Sequence, residues 1–468
     1  MQSMLMIGLF ITLAIIVLLS AWSGKKTGEK SCKNGGSVVV GILIGTLVGG
    51  SSTVGTAQLA FTYGMSALWF NLGGGISLLV LALIYVKPLR NSGCMTLVEI
   101  ISNEYGLTAG ILASVLNAIG TFISIVSQII SSTAVIEVVF PNLELANAVI
   151  ISSIAMVLYV VFGGIKGAGI VGLAKTALLY FAMIGCGALV LSATGGIRPF
   201  VHMVSNIENT GGINLLSLFA RGIGVDLGAA LSLLLGVLTT QTYAQAVFTS
   251  KNEKTAKKGT IISALLVPPI GIGGVFVGLY MRANAVKYPG LTAKTALTTF
   301  VTEHISPVMA GVILATLFIA SVGAGAGLAL GISTVVNRDI ISNFTHRFDK
   351  LICSGMMEKV CIIVIISLAA SFSCGPLGDV ILKLAFMSMG LRAAVVFCPL
   401  CGALFLHGRI KSSFSTAAII IGPSIVFIGN MVNLKFDPLF LGVAMSFVVC
   451  ALGYEKNSQS LKYQRFRV

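Results

Sequence analysis

Apolar residues in this chain neither alternate nor recur on one helical face; they run almost unbroken for roughly 17 to 30 positions before yielding to short polar or basic stretches. A hydrocarbon layer about 30 Å thick takes about 20 residues of helix, so each run predicts one membrane span. Thirteen runs lie near 4–22, 37–62, 66–86, 107–138, 146–163, 169–193, 224–248, 258–281, 306–337, 358–374, 380–406, 413–432 and 438–454. The pattern predicts an all-α polytopic membrane protein with no soluble domain; its longest connection is 194–223.

Composition agrees and adds an orientation. The chain is 56% hydrophobic and 10% charged, against about 25% charged in soluble proteins. Its net charge of +15, from 30 Lys+Arg and 15 Asp+Glu, would point to nucleic acid in a soluble protein. In a membrane protein the surplus sorts to the cytoplasmic side. With the N-terminus outside, 21 basic residues fall in inward loops, 6 in outward loops, and Lys175, Lys383 and Arg392 inside spans. An error of one helix would destroy this sorting. The expectation is a multi-pass protein of the cell (cytoplasmic) membrane, N-terminus outside and C-terminus inside, with the lipid bilayer as its surroundings and no nucleic-acid partner. Residues 1–22 lack a basic leading segment and read as a first helix, not a removable signal.

Chemistry-bearing residues are sparse. Nine cysteines lie mostly in or beside apolar runs, without a disulfide framework. Cys398 and Cys401 have redox-motif spacing, but inside a span and without acidic or histidine neighbours they read as packing. His202, His304, His346 and His407 fall at loops or helix ends. Glu137, Asp226 and Asp379 lie toward span ends and converge with no histidine, so neither an enzyme nor a metal or other cofactor is expected.

One region departs from uniform helix. Gly41, Gly45 and Gly49 form a four-residue-spaced face that admits a close neighbour. The run Gly49-Gly50-Ser51-Ser52-Thr53-Val54-Gly55 follows, poor in helix propensity at mid-membrane depth. Backbone groups freed there need protein, ligand or water as partners, which marks either a binding site or a Gly-rich packing face.

With Ala60-Phe61-Thr62-Tyr63-Gly64, that run resembles the first broken helix of the sodium:solute symporter family. Tyr159 to Lys166, Gln245 to Lys251, Tyr288-Pro289-Gly290-Leu291 and Ala320 to Ile340 resemble further family strings in the same order, from about residue 37 to 410. The resemblance implies a LeuT-type 5+5 inverted-repeat core with broken first helices. Its divisions would be a first helix and basic loop (1–36), core repeat 1 (37–193), an external loop (194–223), core repeat 2 (224–411), and two peripheral helices with a basic tail (412–468).

The resemblance also implies a sodium site, from which this sequence departs. Gly323 and Ala324 stand where the family has paired hydroxyls, and Gly172 where it has an Asp. Carbonyls of Gly45, Val48 and Ala320 remain available. Lys175 lies about 13 Å along a helix from Lys166, at a depth where an ammonium costs about 3 kcal/mol unless paired or neutralised. Lys175 could fill the vacated ion position and exchange a proton, or it could snorkel to the interface. The coupling ion is therefore expected to be proton or sodium.

For the solute, the resemblance points to Ser51, Ser52, Phe70 and Asn71, while Ser124, Ser127 and Gln128 share a face of the next core helix. Leu233, Gly236 and Val237 make the opposing side apolar, which disfavours a sugar. Arg392, about twelve residues into its span, is either a carboxylate-binding group or a structural partner of backbone carbonyls at a kink. The expected function is a symporter-type secondary transporter of a small, carboxylate-bearing organic solute. The alternatives are a sodium-coupled symporter with a remodelled site and a non-transporting sensor, the latter disfavoured by the short tail 455–468. The oligomeric state is not encoded in any of these features.

Overall fold

The computed structural model describes residues 2–25, 34–207, 213–341, 356–375, 381–432 and 436–455. Where water is absent, each segment must satisfy its own backbone groups, and the apolar runs accordingly form helices, with no strand longer than an isolated bridge among the described residues. In chain order these are α1 (Gln2–Lys25), α2 (Gly36–Leu47), α3 (Thr56–Tyr63), α4 (Trp69–Val80), α5 (Val86–Asn91), α6 (Leu97–Tyr105), α7 (Leu107–Val139), α8 (Leu145–Thr194) and α9 (Ile197–Ser205). They continue as α10 (Ile223–Leu238), α11 (Gln241–Phe248), α12 (Glu253–Ala283), α13 (Ala296–His304), α14 (Pro307–Val335), α15 (Met356–Ser373), α16 (Ile381–Phe405), α17 (Ser412–Met431) and α18 (Leu439–Leu452).

Among the described residues, eight helices are long and apolar enough to cross a membrane, or nine if α10 and α11 form one bent span. Four further apolar helices are shorter: Ser3–Ile16, Gly36–Leu47, Leu145–Val160 and Leu439–Leu452. Each predicted run coincides with helix, but not all reach spanning length alone, so this criterion does not arrive at thirteen.

Two breaks, as implied for the first helix of each repeat, and one unexpected merger shape the interior. The run 37–62 is broken: Val48 leaves helical geometry at φ −90° and ψ 92°, and the backbone resumes through a wide turn, Ser51–Gly55, into α3. The run 224–248 is also broken, bending 42° between α10 and α11. No Gly or Pro stands at that second break. Instead Thr239 and Thr240 turn their hydroxyls back onto carbonyls, Thr239 to Leu235 O at 3.0 Å and Thr240 to Gly236 O at 2.5 Å, competing with the helical ladder.

The departure from the expected pattern is a merger, because the predicted spans 146–163 and 169–193 belong to one helical stretch, α8. Its halves are not collinear. Tyr159 and Lys175 both reach Gly323, although sixteen residues of straight helix extend about 24 Å. Tyr159 and Val171 also share an apolar cluster with Ile16 and Ile319.

Short helices α6, α9 and α13 occupy connections that carry no spanning run. Thr96 and Glu99 start α6 with reciprocal capping bonds, which fixes the turn before α7. In the interior, α7 packs on α14 and α16, α2 on α8 and α12, and α10 on α4 and α16. Both helix breaks thus lie among buried neighbours.

Candidate functional site

The first break is held by side chains from α7. Gly50 N–H donates to Gln128 Oε1 at 2.8 Å, and Gln128 Nε2 donates to Ser51 Oγ at 2.9 Å. Ser127 lies 3.2 Å from Ser51 and donates to Ile381 O at 2.9 Å. Ser52 bonds back to Gly49 O at 2.9 Å. From α4, Asn71 Nδ2 reaches Ser52 O at 3.3 Å and Thr56 Oγ1 at 3.0 Å, while its Oδ1 is buried without a hydrogen-bond partner. The structure therefore brings Ser51, Ser52, Asn71 and Gln128 into one polar cluster. An unpartnered amide oxygen there is a ready acceptor for a solute donor.

Lys175 lies on the other side of the same break. It is 1% exposed, so it does not snorkel to an interface. Its Nζ donates to Gly45 O at 2.6 Å and Ala320 O at 2.9 Å, joining the last turns of α2 to α14. Gly323 lies beside it, a Cβ built there falling 3.7 Å from Nζ. Two of the three carbonyls named for the ion site thus receive the ammonium, whereas Val48, in extended backbone, is not among its partners. Ala324 packs against Gly49. Gly172 approaches Gly41 so closely that a Cβ would stand 2.1 Å from its carbonyl oxygen. An Asp at 172 would require α2 and α8 to separate.

Arg392 marks the second break. It is fully buried, and its Nη1 donates to Thr240 Oγ1 at 2.7 Å. Nη2 donates to Ser124 Oγ and Ser388 Oγ, each at 3.2 Å, and Nε donates to Ser388 O at 3.2 Å. Ser124 and Ser388 are themselves 2.6 Å apart. A Cβ on Gly120 would lie 2.7 Å from Arg392 Cγ, so a small residue there admits the arginine. The structural alternative of carbonyls at a kink is modified: three hydroxyls, one carbonyl and the Met389 sulfur, drawn from α7, α16 and the turn after α10, hold the guanidinium. Ser124 belongs to this cluster and not to that of Ser51 and Gln128. Thr240 and Ser388 were not legible as partners from sequence, because isolated hydroxyls in apolar runs bond equally well to their own helix.

The remaining positions are covered. The Phe70 ring meets Phe386 edge-on at 5.5 Å, and the Arg221 guanidinium lies 5.5 Å over Phe386 while bridging Asp226 at 2.6 Å. Leu233 and Gly236 pack against Gly73 and Met389 respectively. At the opposite ends of these helices, Leu97 N–H donates to Gln241 Oε1 at 2.9 Å and Thr96 Oγ1 contacts both Asp339 oxygens at 3.0 Å. Among the described residues, no group of three or more His, Cys, Asp or Glu side chains is arranged to hold a metal.

Comparison with known proteins is consistent with this architecture. A solved Na+-coupled sialic acid symporter, substrate-bound and outward-open, superposes with a TM-score of 0.76 at 16% identity, covering 96% of this chain and 97% of that one. A nucleobase-cation-symport-1 family transporter, closed with bromovinylhydantoin bound, gives 0.58 at 13% identity, covering 91% and 94%. These likenesses show the fold, the LeuT-type transporter core. In sequence, the chain is 25% identical over 345 residues to the uncharacterized symporter YwcA of Bacillus subtilis (strain 168), spanning 71% of this chain and 67% of that protein. The model of the sodium:solute symporter family matches residues 30–422. A membrane-embedded bundle with two broken helices, matched over most of its length by that model, belongs to the sodium:solute symporter family and is a transporter, not an enzyme.

Proposed function

We propose that this protein carries a small, carboxylate-bearing organic solute across the cytoplasmic membrane by alternating access, with Lys175 standing in place of a bound sodium ion and coupling transport to protons. The observation that carries the reading is the ammonium between Gly45 O and Ala320 O, beside Gly323 and Ala324, which offer no hydroxyl. A hard cation needs several oxygen ligands; here two carbonyls already accept hydrogen bonds from a tethered charge. Loss of its proton would remove the charge that strengthens both bonds and so loosen that tether between α2 and α14. One helix bundle then rocks against the other around the midplane site, within a core of two repeats, 37–193 and 224–411, with the N-terminus outside.

Arg392 supplies the case for an anionic solute. Its recorded partners are neutral, and a carboxylate is the strongest available complement to a buried guanidinium. Ser51, Ser52, Phe70, Asn71 and Gln128 would contact the rest of the solute. The test is uptake into proteoliposomes under separately imposed sodium and proton gradients, preceded by a thermal-shift screen of carboxylates, amino acids, vitamins and polyols. Accumulation driven by ΔpH without sodium supports the reading; full sodium dependence with no response to ΔpH overturns it.

A second reading, sodium coupling at a remodelled site, is favoured by one feature. Ser131 and Ser321 hydroxyls lie 3.3 Å apart beside Gly50, and Ser321 directly follows Ala320, whose carbonyl accepts from the lysine. The same gradients separate the two.

A further inference from the structure

A small cavity opens where α11 begins, lined by Asn117 and Thr121 of α7, Thr240, Gln241 and Thr242 at the second break, and Gly331 of α14. It has room for about one water-sized group. Two features of its wall play no part in the proposed transport, and the arginine assigned to the solute lies behind it.

First, the helical ladder of α11 starts with Tyr243 and Ala244, both donating to Thr240 O. The N–H groups of Gln241 and Thr242 stand ahead of that ladder, at the positive end of an aligned peptide dipole. Second, Asn117 is 3% exposed and its Oδ1 has no hydrogen-bond partner. Its amide can present Nδ2 instead by a half-turn, since either orientation fits the same volume. Third, the Arg392 charge lies immediately behind the wall, bonded to Thr240 Oγ1 at 2.7 Å, with only neutral groups among its partners. The Thr240 hydroxyl itself donates a hydrogen bond to Gly236 O, so its two bonds fix its orientation.

We infer that this cavity is a small monovalent-anion site, formed by the start of α11 and Asn117 and backed by Arg392. A helix N-terminus and an unpaired amide line one water-sized space beside the apolar Ala118, Ile332 and Val335, and a fixed guanidinium lies behind it through Thr240; each of the three favours negative charge or an added hydrogen-bond partner. The occupant is one carboxylate oxygen or, with slight widening, a halide. The carboxylate form rests on the proposed transport of an anionic solute; the halide form does not.

The test uses purified full-length protein in detergent, with thermal unfolding followed at constant ionic strength while gluconate is exchanged for chloride or for formate. Saturable stabilisation by either small anion over gluconate is expected, with apparent affinity weakened about tenfold or more in Asn117→Leu, the loss of one hydrogen bond to a charged group. Asn117→Asp, which keeps the volume and adds a like charge, should abolish the effect. Stabilisation by chloride and not formate would establish the site while removing it from carboxylate recognition. An absence of any saturable difference in the wild-type protein overturns the inference even if both variants fail to fold. Equal responses in wild type and both variants overturn it as well.

Discussion

Two buried cations occupy matching places in this molecule and are held in different ways. Lys175, on the helical stretch that closes the first proposed repeat, bonds the segment before the first break and α14. Arg392, on the helix that closes the second, bonds the segment at the second break and α7. Under an inverted-repeat relation, these are equivalent connections. The lysine, however, meets only main-chain carbonyls, whereas the arginine meets three hydroxyls, a carbonyl and the Met389 sulfur. An ammonium can give up its proton when burial makes charge costly, and a guanidinium effectively cannot. The comparison teaches that one connection is releasable and the other permanent.

The largest effect should come from removing the permanent charge. Arg392→Met is expected to lower transport of the identified carboxylate about 100-fold in kcat/KM, since several charge-assisted hydrogen bonds disappear together. Uptake at wild-type affinity by a folded variant would show that the arginine only supports the helices. Arg392→Lys keeps charge and loses the planar fork, so a loss of about tenfold is expected.

Lys175→Met tests the releasable connection. It leaves Gly45 O and Ala320 O buried without their partner, at a cost of about 1–3 kcal/mol each. Uptake should lose its response to a proton gradient while solute binding, read by thermal shift, persists. Retained ΔpH-driven accumulation would remove the lysine from coupling.

A sharper comparison converts one site toward the other chemistry. Lys175→Gln combined with Gly323→Ser and Ala324→Ser vacates the ammonium and restores two hydroxyls, and uptake should become sodium-responsive, by about tenfold if each ligand strengthens a hard-cation site. Position 172 stays glycine in this design because of its contact with Gly41. The smallest effect is expected from Ser388→Ala, which removes one Arg392 partner and should cost about 1 kcal/mol, read as a several-fold rise in KM.

Legibility from sequence followed the scale of the signal. Long apolar runs specify helix and bilayer regardless of partners, so the spans, and through the family strings the fold, were readable. The Gly49–Gly50 break was readable because two adjacent glycines weaken a helix locally. The break at Thr239–Thr240 was implied by the family resemblance alone, since threonines occur in intact helices and only their back-bonding to Leu235 and Gly236 distinguishes this pair. The sequence likewise divided α8 between 163 and 169, around the basic Lys166, but an interruption of the apolar run does not by itself end a helix.

The sequence by itself determined that this is a membrane-embedded transporter of the sodium:solute symporter family, that hydroxyls are missing at 323 and 324, and that two cations lie deep within apolar runs. Only the tertiary structure decided what those cations touch. Depth along a helix is a local quantity fixed by residue count. Whether a lysine at that depth snorkels or bridges Gly45 to Ala320 depends on neighbours 130 and 145 residues away in sequence, which pack there because glycines at 41 and 172 let two helices touch.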